Sequence, residues 1–149
     1  MTRPSSSQVV RRGDWQGADD QCTLTYDERF LRRKVLTSDA GLQFLVDMPH
    51  TISVDDGDAF ALSDGRLIAA QAAPEDLLAI TGPDLVRIAW HIGNRHTPCQ
   101  IESDRLLIQR DHVIAEMLAK LGATVAEVKE PFTPEGGAYG HGRTHSHAH

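Results

Sequence analysis

The hydrophobic pattern changes its period once, at Ala73-Pro74, and this confines the chain to two kinds of structure in succession. Upstream lie short apolar or alternating runs at residues 23–26, 31–37, 42–48, 59–62 and 67–72. Turn chemistry separates them: Ser38-Asp39-Ala40-Gly41, Asp55-Asp56-Gly57-Asp58 and Ser63-Asp64-Gly65. Asp-Gly between apolar runs marks a hairpin, because glycine accepts the positive φ of a tight turn. Regular short strands of this kind predict a small barrel or sandwich.

Downstream the spacing alternates between strand and helix. Residues 75–81 read as a strand, and Pro83 suits a first helical turn, where its missing N–H is not needed. Leu85, Ile88, Ala89 and Ile92 then form one apolar helix face, ended by Gly93-Asn94. Residues 99–102 and 106–109 read as strands around a Ser103-Asp104 turn. Asp111 is positioned to cap a second helix, whose apolar face is Ile114, Met117, Leu118 and Leu121. Gly122 stops it, and residues 124–128 are a last strand. The order strand–helix–strand–strand–helix–strand predicts a ferredoxin-like unit. Past Pro131 periodicity is lost, and Gly136, Gly137, Gly140 and Gly142 indicate a flexible tail. The expected class is α+β: an all-β domain over 1–73, a ferredoxin-like βαββαβ domain over 74–132 and a His-rich tail over 133–149.

Composition removes several functions. A formal charge of −6 with histidine neutral gives no basic face for nucleic acid. Arg11-Arg12 and Arg32-Arg33-Lys34 read as charges that guard exposed strand edges. No apolar stretch approaches the roughly 20 residues of a spanning helix. Residues 1–13 lack the apolar centre of a secretory signal, so a cytoplasmic protein without membrane contact is expected. Cys22 and Cys99 are far apart and no CxxC occurs, which excludes the common cysteine zinc sites; both are expected to be reduced. No nucleophile elbow, phosphate loop or paired catalytic carboxylates stand out, and no enzyme is expected.

Histidine placement carries the chemistry. Of eight histidines, His141, His145, His147 and His149 fall in the last nine residues, spaced by Gly, Arg, Thr, Ser and Ala. Imidazole suits borderline metals such as nickel, zinc and copper, and a chain of closely spaced imidazoles can wrap an ion. His91 lies near the end of the first helix, where by itself it reads as structural or solvated. His96 follows that helix on a loop and supplies one nitrogen, which becomes a useful site when a twofold axis adds its copy. Asp111-His112 taken alone is a capping aspartate and a surface histidine. Ligands on a loop, a helix start and a tail favour capture and release over hydrolysis, which needs three well-held ligands and an open position. Storage or sequestration of divalent metal is the alternative reading. Neutral imidazole is the binding form, so affinity is expected to fall as pH drops through the range where free imidazole protonates, about 6.5.

Gly93-Asn94-Arg95-His96 followed by Pro98, an Asp-His helix start fifteen residues further on and a His-rich end together resemble the UreE-type urease accessory proteins, which are nickel metallochaperones. The resemblance extends to Arg29-x-x-Arg32-Arg33, Asp56-Gly57-Asp58, Asp64-Gly65-Arg66 and Ala72-Ala73-Pro74-Glu75, and so covers most of the chain. It implies a homodimer in which His96 and its symmetry mate bind Ni(II), with Zn(II) or Cu(II) possible. The tail adds ligands, and His91 occupies an auxiliary position. It implies an N-terminal peptide-binding module, and the urease accessory GTPase and urease apoprotein as partners. Some members have a second site from a histidine pair around the second helix start. This chain keeps His112 but has Arg110 at the other position, leaving Asp111 as an oxygen donor.

Overall fold

In the computed structural model, which describes residues 3–136 and Arg143, contacts divide the chain into two compact units, Met1–Ala73 and Pro74–His149. The first holds β1 (Ser5–Val10), β2 (Asp20–Leu24), β3 (Phe30–Thr37), β4 (Gln43–Ser53), β5 (Ala59–Leu62) and β6 (Leu67–Ala72) in one sheet, ordered β2-β6-β5-β1-β4-β3. The hairpin signals do what their chemistry requires. Gly65 turns β5 into β6 at φ +91°, its N–H donating to the Leu62 carbonyl at 3.0 Å. Gly41 does the same between β3 and β4 at φ +94°. The outer strands curl toward each other, because the Asp39 N–H donates to the Gln21 carbonyl at 2.8 Å. Inside lie Cys22, Leu24, Leu36, Phe44, Phe60 and Ile68, with the two phenylalanine rings 5.5 Å apart and tilted. Each such side chain contributes about 1.5–3 kcal/mol by burial.

Three features depart from the sequence reading. Strand β1 was not predicted, since only Val9-Val10 are apolar in Ser5–Val10. It forms because β4 and β5 satisfy its backbone from both sides, and Ser6 is buried with its hydroxyl donating to the Gln8 carbonyl at 3.1 Å. Strand β4 runs on through Pro49-His50, beyond the predicted run 42–48, at the register shift opposite Leu31/Arg33, where a missing N–H breaks no ladder bond. Arg32, Arg33 and Lys34 are exposed on the edge strand β3, as read. Arg11, by contrast, is half-buried and pairs with Asp58 at 2.8 Å.

Asp58 is 1 % exposed and its carboxylate also accepts the N–H groups of Arg12 at 2.9 Å and Asp55 at 2.8 Å. It ties the Asp55-Asp56-Gly57-Asp58 turn to the end of β1. Replacing it with alanine strands those donors, so Asp58→Ala is expected to destabilise this unit by about 2–4 kcal/mol in denaturant unfolding. A change below about 0.5 kcal/mol, the scale of an ordinary surface substitution, would remove the knot from the stability argument.

The second unit runs β7 (Pro74–Thr81), α1 (Leu85–Asn94), β8 (Gln100–Ile101), β9 (Leu106–Gln109), α2 (His112–Lys120) and β10 (Thr124–Pro131). Its sheet is antiparallel throughout, ordered β10-β7-β9-β8. Helix α1 starts at Leu85, later than the Pro83 signal implied, because the Asp84 carboxylate caps it by accepting the Arg87 N–H at 3.3 Å. Asp111 caps α2 as expected, with Oδ1 accepting from the Val113 and Ile114 N–H groups at 2.9 and 3.1 Å. Ile88, Ile92, Ile114 and Leu118 from the helices pack with Leu78, Ile80, Leu106 and Ile108 from the sheet. Strand β8 is shorter than the predicted 99–102, and β10 longer than 124–128. Beyond β10 the chain returns to β8: Phe132 is fully buried, and the Glu135 N–H donates to the Cys99 carbonyl at 2.9 Å. No helix among the described residues is long and apolar enough to cross a membrane.

Candidate metal centre

His96 occupies a distinctive position. Helix α1 ends with the Arg95 N–H on the Ile92 carbonyl at 3.1 Å and the His96 N–H on the Gly93 carbonyl at 2.9 Å. Reversing the chain there requires a left-handed residue, the place usually taken by glycine. Here it is His96, exposed, at φ +57° and the only non-glycine with positive φ among the described residues. A side chain in that conformation costs on the order of 1 kcal/mol. An imidazole is kept where the backbone would be better served by none.

His91 is half-buried one turn earlier, and its ring meets the edge of Trp90 at 5.0 Å in a T-shaped contact. Trp90 is 63 % exposed and Val86, one turn before it, 86 %. With Asp84, Arg87 and His91 they line an open cleft of about 550 Å³. Sequence reading passed over both. The signal was available: 86 and 90 are apolar positions four apart that do not belong to the Leu85, Ile88, Ala89 and Ile92 face.

Asp111 and His112 are exposed at the start of α2. The cap occupies Oδ1 of Asp111, so that oxygen already serves two backbone donors. Arg110, where the resemblance expects a histidine, is a structural tie. Its guanidinium donates to the Leu77 and Val128 carbonyls, both at 3.2 Å, and faces Asp76 and Glu127 at 3.8 and 3.5 Å. It links the ends of β7, β9 and β10, a role that a shorter imidazole does not fill. Among the described residues no three of His, Cys, Asp and Glu converge as ligands for one ion, so His91, His96, Asp111 and His112 do not form a closed site within one chain. His141, His145, His147 and His149 lie outside the described residues.

The thiols are turned inward. Cys22 is 1 % exposed in the core of the first unit, and burial, reinforced by Asp39, raises its pKa to about 11. Cys99 packs against the core of the second unit; burial, and after it the nearby charge of Glu135, raises its pKa to about 11 as well. Neither forms a disulfide. At pH 7–8 both stay protonated, and the thiolate is the metal ligand. Replacing both by serine is expected to leave the bound nickel count unchanged while costing about 1–2 kcal/mol of stability, since a hydroxyl enters two apolar sites. A large loss of bound nickel in a folded double variant would make a thiol a ligand.

These features define a small α+β protein of two units, with exposed imidazoles at the end of one helix and the start of the other. The chain belongs to the UreE family of urease accessory proteins: the family model for the N-terminal domain matches residues 7–73 and that for the C-terminal domain residues 75–149. It is 66 % identical to the urease accessory protein UreE of Ruegeria pomeroyi over the full length of both chains. It is 58 % identical to that of Cereibacter sphaeroides, covering 98 % of this chain and 80 % of the relative, and 53 % identical to that of Paracoccus denitrificans, covering 95 % and 90 %. This is a family of accessory proteins rather than of urease catalytic subunits.

Proposed function

We propose that this chain is a homodimeric nickel chaperone that captures Ni(II) between the His96 side chains of two copies and releases it for assembly of the urease active site. The observation that carries the reading is the exposed, left-handed His96 at the end of a helix whose outer face shows Val86 and Trp90 to solvent. An apolar stripe beside a single imidazole is what a twofold contact needs, since it supplies burial and a second nitrogen at once. Imidazole binds nickel, zinc and copper, and the Irving–Williams order favours copper, so selection of nickel comes from supply and partners. His91 stands close enough in sequence to assist, and the tail histidines add capacity. Asp111 and His112 form a secondary donor pair. The βαββαβ order with sheet order β10-β7-β9-β8 supports a ferredoxin-like reading of the second unit.

The first unit, whose single histidine is His50, serves as a partner surface toward the urease accessory GTPase and the urease apoprotein in the cytoplasm. Ligand exchange is the only chemistry required. Titrating the purified chain with Ni²⁺ and Zn²⁺ while measuring its mass in solution tests the whole reading. A dimer whose tightest site takes about one ion per two chains is expected; a monomer that binds one ion per chain would overturn it.

A further inference from the structure

Resting on the reading of the first unit as a partner surface, we infer that the outer edge of β3 takes an acidic, extended segment of a partner protein as an added strand. Among the described residues, β3 stands at one end of its sheet and pairs with β4 alone. An end strand presents a row of outward N–H and C=O groups, which is a template for another strand. The far end of β3 is closed off. There the Asp39 N–H donates to the Gln21 carbonyl at 2.8 Å and the Cys22 thiol to the Thr37 carbonyl at 3.5 Å. The open stretch is residues 30–35.

Two observations set that stretch apart. The first is that the in–out alternation of a half-buried strand lapses in it. Leu31 and Leu36 are buried, and Arg32, Arg33, Lys34 and Val35 between them are all exposed. The lapse coincides with the register shift. Leu31 stands opposite Ile52 and Arg33 opposite Asp47, so residues 48–51 of β4 stand against Arg32 alone. Extra residues on one strand of a pair bend it, and β3 runs clear of the core there.

The second observation is charge. The stretch carries three successive cations in a chain of formal charge −6. Arg33 pairs with Asp47 at 3.0 Å, and both stay exposed. Among the described residues no ion pair engages Arg32 or Lys34. Exposed Phe30 precedes the cations and exposed Val35 follows them.

These charges define the occupant. Across paired strands opposite charges stabilise, and like charges directly opposite destabilise. A second copy of β3 laid antiparallel about Arg33 would set Arg33 against Arg33 and Arg32 against Lys34. The cations therefore guard this edge against its own copy. They favour a segment with Asp or Glu at its centre and apolar residues at its ends, beside Phe30 and Val35.

The test uses the full chain in chelator at pH 8, where free imidazole is neutral. The probe is a fluorescent peptide, Thr-Val-Glu-Glu-Glu-Val-Thr, with binding read by anisotropy. It is compared with a Lys-for-Glu peptide and with two forms N-methylated at alternate residues, odd or even. The Lys peptide is expected not to bind. One N-methylated form should bind like the parent peptide and the other about tenfold more weakly or worse, because an added strand bonds through one of its two sides. The double variant Arg32→Glu with Lys34→Glu should weaken binding about tenfold while leaving thermal unfolding unchanged, since both side chains are exposed. Equal binding of the two N-methylated forms would mean adsorption by charge alone and overturn the inference. A double variant that binds like the parent would do the same. So would a change in its oligomeric mass by light scattering, which would put a second copy at this edge. The partner reading is judged separately: a full chain that binds neither the urease apoprotein nor the accessory GTPase ends that reading, and the peptide results decide the inference by themselves.

Discussion

His96→Ala is expected to abolish the tight nickel site of a chain truncated after Gly136. That truncation keeps the Thr133 and Glu135 contacts to β8 and removes the four histidines of the tail. The parent should take about one ion per two chains, since the proposed site takes one imidazole from each of two copies. Loss of a direct ligand should exceed the roughly 10–100-fold that loss of an outer-shell partner costs. Because His96 is exposed and left-handed, the helical signal should not change. His96→Gly makes the test sharper. It removes the imidazole but suits φ +57°, so nickel should be lost with no loss of fold stability. Calorimetric titration and thermal unfolding of the three proteins read both effects. One ion per single chain, or a variant that binds as tightly as the parent, would rule out the shared site.

Trp90→Asp is expected to shift the protein from dimer to monomer. Trp90 and Val86 are 63 % and 86 % exposed in the single chain, and aromatic anchors dominate interface energetics. Removing such an anchor costs about 2 kcal/mol or more, roughly a thirtyfold rise in the dimer dissociation constant. The tight nickel site should weaken with it, because the second imidazole is lost. Helicity should hold, since the side chain lies outside the Ile88 and Ile92 core face. Gly93→Ala is the companion variant. Among the described residues, apart from its two chain neighbours and its own helix backbone, no atom lies within 4 Å of a methyl placed there, so the described packing leaves room for alanine. Inside a helix, alanine is better by about 0.5–1 kcal/mol. The monomer should gain stability, while a partner packed against that turn should bind less well. Light scattering across a dilution series reads the association. A Trp90→Asp protein that stays dimeric with its full nickel count would place the interface elsewhere.

Turn chemistry and period were enough for much of the fold. Strands β5 and β6 match the predicted runs at 59–62 and 67–72, because Asp-Gly turns bracket them and the Leu62 carbonyl and Gly65 N–H close locally. Both helices were legible for the same reason, since their apolar faces and Asp111 lie within a few turns of chain. The histidines were visible as residues, and the Gly-Asn-Arg-His segment pointed to His96 before any coordinate did.

Short-range pattern reports what a residue prefers, and long-range contact decides what it does. Strand β1 has little apolar character and exists because β4 and β5 flank it. Arg11 looked like a solvated charge until Asp58, 47 residues away, was found paired with it. Arg110 looked like a missing ligand, yet it ties β7 to β10. The bond from Thr133 to Gln100 joins residues 33 apart, and nothing in the residues between them announces it. The histidines proposed as ligands were legible in the sequence because imidazole chemistry is local to each residue. The path of the chain back to Cys99 was decided by tertiary structure, because it depends on which backbone groups remain unpaired once the strands and helices have packed.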